Sequence, residues 1–376
     1  MRQFPFVALA VLALASCDKP VRTVGGFDDA LTYIGRSDRS DSLAPRMWGA
    51  AVYFTFAFDG DGCDIEIRDE RLYGNSYNYL EVVVDGESVG RVRTLGAQNR
   101  LTIGRPQLEA SQDTALKLIA VADSLPAGRH TVLVARDTEC AMGFTQVVRV
   151  AARGLEKWRP EAQLRIEFVG NSITSGMDCY DGEIPFGQGT WYDHHRAYCA
   201  YGPRTARALG ADWSLASVSG IGLMHSCCEH KYVLPQTYDK VNLVDNLVAY
   251  DFSFDPDIVV SALGQNDGVQ DSTAFASAYV DFIRLLRAKN PDADVVLISS
   301  PMADDTLRAY FRKMLPAVVA AAEAEGLAGP SGEIAYHIYE RSYNAGGSSH
   351  PSIDEQALIA DELVAFLRDS TNLIVK

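Results

Sequence analysis

From residue 52 to residue 135, apolar and polar positions alternate in short runs broken by turn-forming residues. Residues 52–58 run into Asp59-Gly60-Asp61-Gly62, and 63–67 alternate residue by residue. Residues 79–84 end in the hairpin pair Asp85-Gly86, 116–121 are apolar except Lys117, and Pro126-Ala127-Gly128 turns the chain into 130–135. A period of two bounded by turn residues predicts β-strands. No helix-period segment of useful length interrupts them. Residues 21–150 are therefore expected to form an all-β sandwich, a jelly roll.

Charged residues and Pro160 mark a boundary at 151–161, and the period then changes. Strand-like runs at 164–169, 213–218, 257–263, 295–299 and 334–339 alternate with helical spacing. Phe275, Tyr279, Phe282 and Leu286 recur at intervals of four, three and four, before Arg287, Lys289 and Asn290-Pro291 stop the helix. Pro316 inside 306–325 predicts a kinked or split helix. Ser352-Ile353-Asp354-Glu355 reads as a capping box, with Leu358, Leu363 and Phe366 of the last helix facing inward. Residues 162–376 thus read as a three-layer α/β domain, a parallel sheet with helices on both faces. In such sheets sites lie beyond the carboxyl ends of the strands. Ser172, Gly220 and Asn266 each follow an expected strand end and should converge there.

Length and charge narrow the function. The 376 residues suit two domains, and 47% hydrophobic residues suffice for real cores. A formal charge of −15 argues against nucleic-acid binding, which needs a basic face, and fits a neutral substrate. Met1-Arg2 followed by an apolar stretch too short to span a bilayer reads as a targeting segment, residues 1–17. Leu14-Ala15-Ser16-Cys17 resembles a bacterial lipobox, which implies a lipid on Cys17 and a membrane tether for an otherwise soluble chain in the cell envelope, periplasmic or at the surface. Asp18 resembles an inner-membrane retention signal of some Gram-negative bacteria, a rule that does not hold across phyla, so the choice of membrane stays open. Six further cysteines in an exported chain favour disulfides. Cys63 and Cys140 stand alone in the first half and are expected to pair. Cys179, Cys199, Cys227 and Cys228 are expected to pair among themselves, with the adjacent Cys227 and Cys228 each reaching outward. His225 and His230 have a zinc-like separation, but no Cys-x-x-Cys accompanies them, and no metal is assigned.

Four short blocks carry candidate chemistry: Gly170-Asn171-Ser172, Ser219-Gly220, Gly264-Gln265-Asn266-Asp267 and His350-Pro351. Ester cleavage needs a nucleophile, a base and donors for the oxyanion. Ser172 suits the first role and His350 the second, and the N–H groups of Ser172 and Gly220 with the Asn266 amide suit the third. Asp267 reads as a structural turn residue. Trp191 and Tyr198 are candidate sugar-stacking residues. In this order the blocks resemble those of the SGNH (GDSL-type) hydrolases, with Asn171 in place of the usual aspartate. The mature chain also resembles carbohydrate esterase family two, through Tyr33-Ile34-Gly35-Arg36, Ala127-Gly128-Arg129-His130, residues 197–202 and residues 219–223. That resemblance implies a jelly roll joined to an SGNH domain of flavodoxin-like form. It also implies removal of acetyl groups from plant polysaccharides. No cofactor is assigned, and a monomer is expected. SGNH enzymes usually carry an aspartate three residues before the histidine, where this chain has Gly347. A Ser-His dyad oriented by a backbone carbonyl is therefore expected. The competing readings are an inactive glycan-binding lipoprotein and an esterase acting on lipid or peptidoglycan esters.

Overall fold

The computed structural model describes residues 19–245, 247–369 and 373. Cys17 and the expected targeting segment lie outside the described residues. Two sheets face each other in the first part of the chain: one of seven strands that includes Gly62–Asp69, Gln98–Gly104 and Thr145–Arg153, and one of five built on Tyr53–Gly60 and Gly128–Arg136. Alternate residues of Tyr53–Gly60 and Gly62–Asp69, among them Phe54, Phe56, Ile65 and Ile67, meet in one buried cluster between the sheets. Strands Glu87–Arg93, Gln98–Gly104 and Thr145–Arg153 were not anticipated. The first is a polar strand at the sheet edge, where burial imposes no alternation.

The second part is a five-stranded sheet in the spatial order Ala211–Ser217, Leu164–Gly170, Ile258–Ser261, Asp294–Ile298, Ala335–His337. Every pairing in it is parallel. The helix Ser272–Lys289 buries Phe275, Tyr279, Phe282 and Leu286 as the spacing required. Helix Asp305–Ala324 runs through Pro316 without splitting. Phe311, Met314 and Leu315 before the proline and Val318 and Val319 after it are all buried, so packing on both sides outweighs the lost backbone hydrogen bond. The capping box forms: Ser352 N–H donates to Glu355 Oε2 at 3.0 Å and Glu355 N–H to Ser352 Oγ at 3.3 Å. Leu358, expected inward, is exposed, and Ile359, Leu363 and Leu367 form the buried face. Among the described residues no helix is long and apolar enough to cross a membrane.

The domains share a core rather than touching through a linker. Tyr53, Val83 and Leu133 of the sandwich lie in one buried cluster with Ile166, Phe168 and Trp213 of the α/β domain. Tyr53 stacks on Trp213 with 4.3 Å between ring centroids, and its hydroxyl donates to Asp212 at 2.9 Å. Arg36 reaches from the sandwich into the sheet beneath the site strand, where Nη2 donates to Glu167 Oε1 at 3.0 Å. The Tyr250 ring lies 4.4 Å from its guanidinium carbon. Both charged side chains are almost fully enclosed, at 1% and 2% exposure. Arg36→Ala would strand the Glu167 carboxylate in a dry interior, so a loss of about 3–5 kcal/mol of stability is expected. A urea titration followed by tryptophan fluorescence reads it directly, and an unchanged midpoint would show that the pair contributes nothing.

The cysteines depart from expectation. Cys63 sits in the sandwich core and Cys140 in the core of the α/β domain, so they occupy separate clusters and both are free thiols. Cys179 and Cys199 are also free and buried. Cys227 and Cys228 bond to each other instead of reaching outward. Cys228 takes a left-handed backbone conformation with φ of 62°.

Candidate active site

The strand Leu164–Gly170 ends at the carboxyl edge of the sheet, and Asn171 caps a single helical turn, Ser172–Ser175, by accepting from Ile173 N–H at 3.2 Å. The turn lifts Ser172 to the rim while leaving it only 6% exposed. His350 arrives from a loop 178 residues away in sequence and just ahead of the capped final helix. Ser172 Oγ–H donates to His350 Nε2 at 2.8 Å. On the far side of the ring, Nδ1–H donates to the Ser348 carbonyl at 3.2 Å, which fixes the tautomer that leaves Nε2 free to accept a proton. Burial is the strongest influence on His350 and lowers its pKa. The Asp178 carboxylate and the Ser348 carbonyl oppose it, His195 reinforces it, and the balance stays below the ordinary value of 6.5.

Opposite the serine lies the loop after Ala211–Ser217. Gly220 has φ of 84°, and a Cβ there would stand 2.9 Å from Cys227 Sγ and 3.1 Å from His230 Cδ2. Both the conformation and the space require glycine. The peptide joining Ser219 to Gly220 is held from several directions. His230 Nε2–H donates to Ser219 O at 2.6 Å. In a trans peptide the neighbouring N–H points the other way, so this bond aims the Gly220 N–H. Glu139, from the sandwich domain, accepts from Ser219 N–H at 2.8 Å and from Ser219 Oγ–H at 2.7 Å. Behind it His195, fully buried, stands 3.7 Å from the Glu139 carboxylate. Burial pushes Glu139 up, but His195 and the two Ser219 donors outweigh it and hold the carboxyl below the ordinary glutamate value. Asp267 anchors the rest of the loop by accepting from the N–H groups of Leu223, Met224 and His225. Among the described residues no acceptor takes the N–H of Ser172 or Gly220. One N–H of the Asn266 amide donates to Ile221 O at 2.7 Å, which leaves the second for the cavity.

Ser172, His350, Gly220, Asn266, Trp191 and Glu139 share one cavity of about 460 Å³, with the Cys227–Cys228 bridge in its wall. Trp191 is 43% exposed there. Tyr198 is elsewhere. Its ring is buried in the interdomain core, with the Arg207 guanidinium 3.9 Å from its centroid and Trp213 at 6.0 Å, so it cannot stack on a substrate beside Ser172. Glu139, His195 and His230 were not anticipated as parts of the site. Glu139 lies 80 residues from Ser219, and nothing local in the sequence announces that contact. Among the described residues no group of three or more His, Cys, Asp or Glu side chains is arranged to hold a metal.

A hydroxyl hydrogen-bonded to an oriented imidazole, facing two unclaimed N–H groups and a side-chain amide, is equipped for nucleophilic acyl transfer. Comparison with known proteins points the same way. Residues 33–161 match the family model described as carbohydrate esterase 2 N-terminal, and residues 168–329 match the GDSL-like lipase/acylhydrolase family. The chain is 25% identical over 353 residues to the cellulase/esterase CelE of Acetivibrio thermocellus, covering 90% of this chain but 39% of that protein. It is 23% identical over 352 residues to an acetylxylan esterase/glucomannan deacetylase of Cellvibrio japonicus, covering 86% of this chain and 85% of the relative. Among solved structures, a family two carbohydrate esterase from Clostridium thermocellum in complex with cellohexaose aligns with a TM-score of 0.74 at 23% identity, covering 92% of this chain and all of that one (100%). A family two carbohydrate esterase from Cellvibrio japonicus aligns with a TM-score of 0.77 at 20% identity, covering 94% and 99%.

Proposed function

Because a carbohydrate esterase 2 N-terminal domain here precedes a GDSL-like acylhydrolase domain, we propose that the protein is a carboxylic ester hydrolase that removes O-acetyl groups from plant-type polysaccharides or oligosaccharides. The observation that carries this is the 2.8 Å hydrogen bond from Ser172 Oγ to His350 Nε2 at the wall of the shared cavity. Ser172 Oγ attacks the acetyl carbonyl carbon while its proton passes to His350 Nε2. The carbonyl oxygen, now negative, accepts from Ser172 N–H, Gly220 N–H and the Asn266 amide. Collapse breaks the bond to the sugar oxygen, which leaves with the proton from Nε2, and an acetyl-serine remains. Water gives a proton to the same nitrogen, attacks the acetyl carbon and releases acetate, returning Ser172 to its starting state. Trp191 offers an aromatic face for the sugar at the rim. The net charge of −15 favours neutral glycans over acidic ones. A lipid on Cys17 would tether this chemistry to the cell envelope, the chain acting as a monomer.

The test is a side-by-side assay on acetylated xylan, acetylated glucomannan and a lipid ester, with Ser172→Ala in parallel. Serine-dependent acetate release from the glycans supports the proposal, and preference for the lipid ester redirects it to a different ester. Glycan binding with no ester turnover would make the protein a binding lipoprotein. Two further results are expected. The base must be neutral to accept the serine proton, and the His350 pKa lies below 6.5. Activity should therefore persist through pH 6.5, with the acid limb of kcat/KM falling at lower pH; a limb above that value would contradict the buried setting of the ring. Asn266→Ala removes one oxyanion donor and should lower kcat by about 10²–10³ with little change in KM.

A further inference from the structure

Position 347, three residues before His350, is glycine, yet the space a side chain there would enter is already filled. A Cβ on Gly347 would stand 2.8 Å from Phe186 Cδ1, 2.9 Å from Asp178 Cγ and 3.1 Å from Asp178 Oδ1. Asp178 comes from the other side of the site, two residues after the Gly176 that closes the nucleophile turn. It is held firmly. Gly347 N–H donates to Asp178 O at 2.8 Å, while His350 N–H donates to Gly347 O at 2.8 Å and Gly346 N–H to His350 O at 2.7 Å. Asp178 is 5% exposed and has φ of 52°, a left-handed conformation costing a non-glycine residue about 1 kcal/mol. Among the described residues its carboxylate accepts no hydrogen bond and joins no ion pair, so no partner of the carboxylate accounts for its burial.

We propose that Asp178 is a positioning residue for His350, its carboxylate supplying from the nucleophile loop the negative charge that position 347 lacks. The inference rests on the esterase reading of the same site. It divides between two groups the work that one aspartate would do: the Ser348 carbonyl fixes the ring through Nδ1, and Asp178 offsets the positive charge that develops when Nε2 takes the serine proton. The other titratable groups acting on the imidazole are Ser172 in front and His195 from the segment after Trp191–His194, with Glu139 of the sandwich behind His195. The Asp178 charge favours the protonated form of the ring.

The experiment is the pH profile of kcat and KM on 4-nitrophenyl acetate for the full chain and two variants. Asp178→Asn keeps the shape and deletes the charge. We expect kcat to fall about tenfold with KM held, and the acid limb of kcat/KM to move to lower pH, because a charge that favoured the imidazolium is gone. The double variant Asp178→Gly/Gly347→Asp returns the carboxylate to position 347 and relieves the left-handed strain at 178, with the half-buried Phe186 ring shifting to admit the new Cβ. It is expected to recover wild-type kcat, with an acid limb at or above the wild-type pH. A merely structural role would alter stability but leave the limb in place. A folded Asp178→Asn enzyme whose limb and kcat match wild type overturns the inference; should that variant not fold, a folded double variant with the low kcat of an uncompensated dyad overturns it as well. An inactive wild type would instead sink the esterase reading, so the two failures are distinguishable.

Discussion

Ser172→Ala is expected to cut ester turnover by about 10⁴–10⁶ while the protein stays folded. The size follows from the chemistry, since among the described residues no other hydroxyl is hydrogen-bonded to the imidazole of His350. The retained fold follows from the local structure. Among the described residues Ser172 Oγ bonds to His350 alone, and the turn it begins is held by the Asn171 cap and by Gly176 at its end. Removing one oxygen therefore leaves no buried donor without water or a partner, and the thermal midpoint should move by no more than a few degrees. Residual hydrolysis at a level above buffer would come from the oxyanion donors alone. The check is an initial-rate assay on 4-nitrophenyl acetate with both proteins purified by the same route.

His350→Ala is expected to cost nearly as much, about 10⁴-fold or more in kcat. Without Nε2 the serine keeps its proton at neutral pH, and the departing sugar oxygen has no acid to protonate it. Residual turnover should rise steadily with pH rather than level off, because hydroxide would have to do the work of the base. The two losses should not add. Serine and histidine act as one unit, so the double variant should be no slower than Ser172→Ala by more than a small factor. Additive losses would mean that the two side chains serve separate steps, which the 2.8 Å contact does not accommodate.

How much of this was legible beforehand depends on what kind of interaction places each residue. The strand at 164–169 is seen at Leu164–Gly170, because Leu164, Ile166 and Phe168 alternate with Arg165 and Glu167 and the Gly170-Asn171 pair marks the end of the run. Gly220 and Asn266 were placed through the same rule, since each follows a strand of one parallel sheet and parallel strands present their ends on one edge. Leu358 was misplaced by one helical position: Leu358 and Ile359 are both apolar, and only the tilt of the helix on the sheet decides which is buried. Tyr198 failed for a related reason, as an aromatic residue near a site suits stacking on a sugar and packing in a core equally well. Its burial beside Trp213 depends on the domain interface. The cysteine pairings were out of reach because Cys63 and Cys140 are assigned to different cores by tertiary packing alone. Glu139 and Asp178 were hidden for the deepest reason. Each is one carboxylate among 49 acidic residues, and what singles it out is a neighbour brought by the fold, Ser219 for one and Gly347 for the other.

Those two residues also bear on why the sandwich is present. Glu139 belongs to the sandwich, yet its carboxylate holds the peptide that presents the Gly220 N–H. Arg36, likewise from the sandwich, is buried against Glu167 within the strand that ends at the Ser172 turn. The β-domain thus supplies part of the framework of the active site, whatever it does toward carbohydrate.

The most direct measurement is intact-protein mass spectrometry of the enzyme quenched in acid during turnover of an acetylated substrate, followed by peptide mapping. The account predicts a transient gain of one acetyl group on Ser172 in the wild type and none in Ser172→Ala. Steady acetate release with the label absent from Ser172, or found on another residue, would contradict it.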